Sequence, residues 1–174
     1  MKNETRMLCA AAIVGAAYAV MTVALAPISY GAVQLRVSEA LCIMPYFIPG
    51  TAWGLAVGCC IANLMTGNIF DIIFGSLATL GAALCTAWIG KRPHTRATAV
   101  LGCMMPVVFN ALVVGAVITQ AYNGMDIFTH PAVFALNAVQ VGLGEAAVML
   151  LMGYPLMRFL PQKAFFREFI AKCN

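Results

Sequence analysis

Three stretches of this chain carry no charged residue at all: 7–28, 72–90 and 97–125. Each matches or closely approaches the roughly 20 residues that cross the hydrocarbon of a bilayer as a helix. Backbone polar groups facing lipid must be satisfied within their own segment, so such runs form helices. The alternating pattern of a membrane β-strand is absent. Composition agrees: 63% of residues are hydrophobic and 9% charged, whereas a soluble domain carries about 25% charged residues. The chain is therefore expected to be an all-α integral membrane protein. The apolar run that follows Lys2 and Arg6 extends to about Pro27. It is too long for a secretory signal core and is read as a retained first helix.

Six spans are expected, at about 6–27, 38–48, 50–66, 70–90, 97–121 and 132–158, in a single transmembrane domain covering 1–174. The second is short for a crossing. Charge decides its existence, because Lys and Arg collect on the cytoplasmic side. Lys2 and Arg6, the cluster Lys91, Arg92 and Arg96, and the set Arg158, Lys163, Arg167 and Lys172 must then all lie inside. That requires three crossings between the first helix and Lys91. A break at Pro45 and Pro49-Gly50 supplies them. The result is a six-helix bundle with cytoplasmic N- and C-termini, in which Arg36 is the basic residue left outside. Trp53 and Trp88 fall near inner helix ends, as in an aromatic belt.

The seven cysteines form no CxxC and no Cys/His cluster, so no metal site or disulfide framework is expected. There is no phosphate-binding GxxxxGK[ST] loop and no HExxH. His94 and His130 lie in loops, away from any buried serine. Neither an enzyme nor a cofactor is expected. An intramembrane enzyme remains the less favoured alternative, and the net charge of +4 reads as topology rather than as a nucleic-acid-binding surface.

Polar residues at membrane depth are costly and by default functional. Gln34, Arg36 and Glu39 surround the first outer loop. Asn63 ends the third span and Asp71 opens the fourth. Asn110 lies within the fifth; Asn137, Gln140 and Glu145 lie in the sixth. Asn137 and Gln140 share a face, and Glu145 falls near it two turns on. Together they are expected to make a substrate pocket open to the outside. Bland alternatives exist: Asp71 as a helix cap, Arg36 with Glu39 as a loop ion pair, Asn110 as interhelical glue. Glu145, with no cation nearby in sequence, is the hardest to explain without a ligand. On the first helix, Ala12 and Ala16, and likewise Ala11, Gly15 and Ala19, form small-residue stripes that let another helix approach.

Several of these segments resemble the QueT family. They are Tyr30-Gly…Gln34-Leu-Arg36-Val-Ser-Glu39-Ala-Leu, Ile61-Ala-Asn63, Asp71-Ile-Ile-Phe-Gly-Ser-Leu-Ala-Thr-Leu80, Pro106-Val-Val-Phe-Asn110-Ala-Leu and Gly144-Glu145-Ala. The resemblance implies a substrate-capture (S) component of an energy-coupling-factor (ECF) importer in the cell membrane. It implies partners, namely a transmembrane T component and two cytoplasmic ATPases. The implied substrate is a queuosine precursor, a deazaguanine base or queuine; an S component for another vitamin-like solute is the alternative. It further implies that ligand is held under the first outer loop and that Ala12 and Ala16 match the coupling AxxxA pattern. A deazaguanine would offer N–H donors to a carboxylate, with Glu145 first choice, and carbonyl and ring-nitrogen acceptors to Asn110, Asn137 and Gln140. A cationic precursor would favour Asp71 or Glu39. Tyr30, Phe74 and Phe109 are candidates to stack on the ring.

Overall fold

The computed structural model describes residues 2–30 and 34–173, and among these every regular element is helical. Residues 31–33 of the first-loop motif lie outside the described residues. Helix α1 (Lys2–Ala24) is followed by the short α2 (Ala26–Ser29). A seven-residue 3-10 helix (Val37–Ile43) runs directly into α3 (Met44–Phe47). Then come α4 (Thr51–Asn63), α5 (Ser76–Gly90), α6 (Arg96–Val117), α7 (Pro131–Val148), α8 (Tyr154–Phe159) and α9 (Ala164–Cys173). Short π-helical turns, Asp71–Gly75, Ile118–Tyr122 and Met149–Gly153, open α5, close α6 and join α7 to α8. Four of these stretches are long and apolar enough to cross a membrane: Glu4–Ala24, Asp71–Gly90, Arg96–Tyr122 and Pro131–Gln162. Val37–Phe47 and Thr51–Thr66 are shorter.

The short segments still reach from one end of the bundle to the other. At one end, Arg36 lies against Ser29 and Asp71, and the Tyr30 hydroxyl donates to the Ala62 carbonyl. At the other, Tyr46 packs on the Gly90 backbone and the His94 ring, and Met7 covers Gly50. Val37–Phe47 covers this distance because most of it is 3-10 helix, with a rise of about 2.0 Å per residue instead of about 1.5 Å. Pro45 sits in the first turn of α3, where its missing N–H costs nothing. Pro49 and Gly50 then turn the chain into α4.

The bundle is apolar outside and partly polar inside. Leu8, Ile13, Val57, Ile61, Leu77, Leu112, Leu143 and Leu151 are exposed, while Thr22, Ser38, Glu39, Asn63, Asn110, Asn137 and Glu145 are buried. Water would favour the reverse; a hydrocarbon surrounding accounts for it. Helices α1 and α4 touch backbone to backbone. A Cβ on Gly54 would lie 1.9 Å from the Ala11 carbonyl oxygen, and one on Gly15 would lie 2.3 Å from that of Gly54. Of the two small-residue stripes on α1, the one with Ala11 and Gly15 is thus consumed by α4. The other, Ala12 and Ala16, is exposed. It borders a lateral groove walled by Trp53, Val57 and Ile61.

The amphipathic α9 had no counterpart among the expected spans. It lies across the end that holds the Lys91–Thr95 loop, with Phe166 against Phe47. The Arg92 guanidinium sits 4.1 Å over the Trp88 ring there.

Candidate functional site

The end opposite the basic loops holds a cavity of about 430 Å³ lined by Tyr30, Gln34, Met65, Thr66, Asp71, Ile118, Tyr122, Asn123, Asn137 and Gln140. Local chemistry delivers each wall. Gly67, at φ +65°, ends the 3-10 turn after α4 in the left-handed conformation that glycine adopts freely. Asn68 then accepts from the Phe70 N–H at 2.9 Å and caps the next helix. Asp71 is therefore released from capping and faces the cavity at the first π-turn. A second π-turn places Ile118 and Tyr122 opposite; such turns recur at functional sites. Gln34 has φ +46°, a strained value for a residue with a Cβ, and it too borders the cavity.

Behind this wall lies a charged pair. Arg36 Nη2 is 4.0 Å from Asp71 Oδ2, both side chains being 4% exposed. The Arg36 Nε donates to the Ser29 carbonyl at 3.4 Å, and its guanidinium lies 5.5 Å from the Tyr30 ring centre. Burial pushes the Tyr30 phenol up, which keeps it a donor to Ala62 at 2.6 Å. Asn63 Nδ2 donates to the Asp71 carbonyl oxygen at 3.0 Å. This contact requires Gly75, since a Cβ there would come within 2.8 Å of that nitrogen.

The residues singled out from the sequence fall into two groups. Gln34, Asp71, Asn137 and Gln140 line the cavity, with Arg36 and Asn63 directly behind Asp71. Asn137 donates to Thr119 Oγ1 at 2.9 Å, and Thr119 donates on to the Gly115 carbonyl. The second group lies deeper. Asn110 Nδ2 donates to Glu145 Oε1 at 2.9 Å, and the Glu145 carboxyl also meets that of Glu39. Glu39 accepts from the Tyr18 hydroxyl and from Cys42 Sγ at 2.9 Å. Next to it Thr22 and Ser38 share a hydrogen bond of 2.6 Å. Arg36 pairs with Asp71, not with Glu39. The cation absent from the sequence around Glu145 is replaced by an amide and a second acid.

Of the aromatic candidates, Tyr30 lines the cavity. Phe74 lies with Phe70 in a separate lateral groove, and Phe109 packs on Gly81. Tyr122, Thr66 and Asn123 were not singled out from the sequence. Tyr122 carries no local signal beyond standing at a helix end; its place depends on the π-turn. Among the described residues no group of acids, histidines and cysteines is arranged to hold a metal.

Comparison with known proteins places these features in a lineage. The family described as QueT transporter matches residues 8–162. A protein of Lactococcus lactis subsp. cremoris (strain MG1363), named "Queuosine precursor transporter QueT", is 37% identical over 81 residues. That alignment covers 45% of this chain and 48% of the relative, so it spans about half of each. No solved structure matches the chain.

Proposed function

Because the chain belongs to the QueT transporter family, a transporter rather than an enzyme, we propose that it is the substrate-capture component of an ECF-type importer. Its ligand is a queuosine precursor, taken from outside the cell into the cavity between Tyr30, Asp71, Tyr122 and Asn137. The cavity is the observation that carries this reading. It opens at the end remote from the basic loops, and the positive-inside rule places those loops in the cytoplasm. The six segments are then six crossings, with both termini inside. A site of this kind, in which Tyr30, Tyr122, Met65 and Ile118 stand among convergent amides, a hydroxyl and a carboxylate, suits a small polar heterocycle.

A capture subunit needs an energised partner. The chain contains no phosphate-binding loop. It does present the exposed Ala12 and Ala16 beside Trp53, Val57 and Ile61. Small residues on a lipid-facing helix allow close approach by a second helix. We assign that face to the T component, with two ATPases bound to the latter. The deeper group, Glu39, Asn110 and Glu145, braces the half-helix Val37–Ile43 against α6 and α7 beneath the cavity.

The test is calorimetric titration of the detergent-purified protein with deazaguanine bases, beside a panel of vitamins. Saturable binding of a deazaguanine supports the reading. Binding of a vitamin instead, with none of the bases, would sink the substrate assignment. Failure to copurify with a T component and ATPases on co-expression would remove the partner assignment.

A further inference from the structure

At the end that carries the basic loops, a further cavity of about 480 Å³ lies between α9 and the ends of α3 and α5. Phe47, Pro49, Ala87 and Ile170 give it apolar walls, and Lys91, His94 and Arg167 stand among them. The His94 ring is held in place: Nε2 donates to the Gly90 carbonyl at 3.0 Å, and the ring centre lies 4.7 Å from that of Tyr46. It also borders a smaller cavity, of about 170 Å³, lined by Thr95 and Arg158. The positive charge here is left largely unbalanced. Glu168 is taken by Lys172 at 3.9 Å, while Lys91, Arg158 and Arg167 have no ion-pair partner among the described residues. Large exposed rings stand on both elements that wall the cavity. Trp88 on α5 carries Arg92 at 4.1 Å over its ring, and Phe165 on α9 is 80% exposed. Rings at the end of a spanning helix and on an amphipathic helix mark the level where acyl chains give way to headgroups.

We infer that this cavity seats the headgroup of an anionic phospholipid, which in the orientation proposed above belongs to the inner leaflet. Lys91 and Arg167 take the phosphate, and the glycerol and first acyl carbons lie against Phe47, Pro49, Ala87 and Ile170. Basic pockets at the cytoplasmic ends of membrane helices hold headgroups in this way. Charge and shape select the occupant together. A free phosphate uses the cations but leaves the apolar walls uncovered. A zwitterionic lipid covers the walls but brings a cation of its own toward Lys91 and Arg167. A lipid with net negative charge satisfies both. Once bound, it links the Lys91 loop to α9, whose hold on this region includes Phe166 against Phe47. The inference does not depend on which solute the outer cavity takes.

The experiment titrates full-length protein in neutral detergent with dioleoylphosphatidylglycerol or dioleoylphosphatidylcholine and reads retained lipid by native mass spectrometry. Each Lys or Arg near an anionic surface contributes roughly fivefold in affinity, so two give about thirtyfold. Wild type should hold the anionic lipid at least about tenfold more tightly than the zwitterionic one. The double variant Lys91→Gln, Arg167→Gln should lose most of that margin. Both side chains are exposed, so the fold should survive. The double variant Arg96→Gln, Lys163→Gln removes the same charge from exposed positions outside the cavity and should keep the margin. Equal loss in the two variants would reduce the effect to overall charge and overturn the site. Wild type that retains both lipids alike overturns it without any variant. Inorganic phosphate that displaces the anionic lipid, at ionic strength matched with chloride, makes this a soluble-anion site and overturns the lipid assignment. If the cavity variant keeps its lipid margin but loses copurification with a co-expressed T component, the surface belongs to that partner instead.

Discussion

At the scale of single residues, Glu145 is where burial and charge conflict most. A carboxylate inside the hydrocarbon costs at least a few kcal/mol without compensation. Compensation here comes from the Asn110 amide, whereas the neighbouring Glu39 carboxyl, itself held by Tyr18 and Cys42, opposes a second negative charge. Glu145→Gln retains an oxygen for Asn110 and places an amide donor toward Glu39. We expect that variant to melt at or above the wild-type temperature and to keep ligand affinity, because the cavity-lining set does not include Glu145. Glu145→Leu strands the Asn110 amide and should cost about 1–3 kcal/mol of stability. Both are read by thermal unfolding beside ligand titration. A tenfold or larger loss of affinity in Glu145→Gln, with its melting temperature intact, would place Glu145 against the ligand instead.

At the scale of elements, α1 carries two adjacent small-residue stripes, one packed against α4 and one exposed. Ala11 and Gly15 meet Gly54 and Gly58 of α4 at backbone contact, and no side chain fits there. Ala12 and Ala16 point away from that contact and are exposed. The two stripes should respond differently to added bulk. Gly54→Val drives a methyl-bearing carbon into a backbone carbonyl that cannot swing aside. It should destabilise the bundle by about 1–3 kcal/mol or more and reduce folded yield on size-exclusion chromatography. The double variant Ala12→Leu, Ala16→Leu should fold, melt normally and bind ligand, while losing uptake and copurification with the T component. If the double leucine variant instead unfolds like Gly54→Val, the second stripe belongs to this protein's own core.

At the scale of the whole molecule, charge and hydrophobicity are sorted along perpendicular directions. Basic loops gather at one end, and the cavity opens at the other. Apolar side chains cover the flanks, and amides, hydroxyls and acids fill the interior. This arrangement suits a protein that lies across a membrane. Cysteines introduced singly at Asn123 and Pro93, after replacement of the accessible native ones, should react with impermeant thiol reagents from opposite faces of intact cells. Labelling of both from outside would break the proposed six-crossing topology. It would also detach the cavity from the extracellular side.

Helical class, the break at Pro49-Gly50 and the grouping of basic loops were legible in the sequence; Pro45, expected to share the break, instead sits in the first turn of α3. Each depends on local quantities: apolar run length, the missing proline N–H, and counted charge. The same holds for the suspicion attached to Arg36, Glu39, Asp71, Asn110 and Glu145, since polar atoms in an apolar run stand out by themselves. Which of them face a ligand was not a local matter. Arg36 and Asp71, Glu39 and Glu145, and Asn110 and Glu145 each meet across different helices. Only the packing of the half-helix Val37–Ile43 among α1, α6 and α7 determines who satisfies whom. The sequence identified the expensive groups; the tertiary structure decided which were already partnered, because a hydrogen bond depends on distance and direction between atoms that the chain alone leaves far apart.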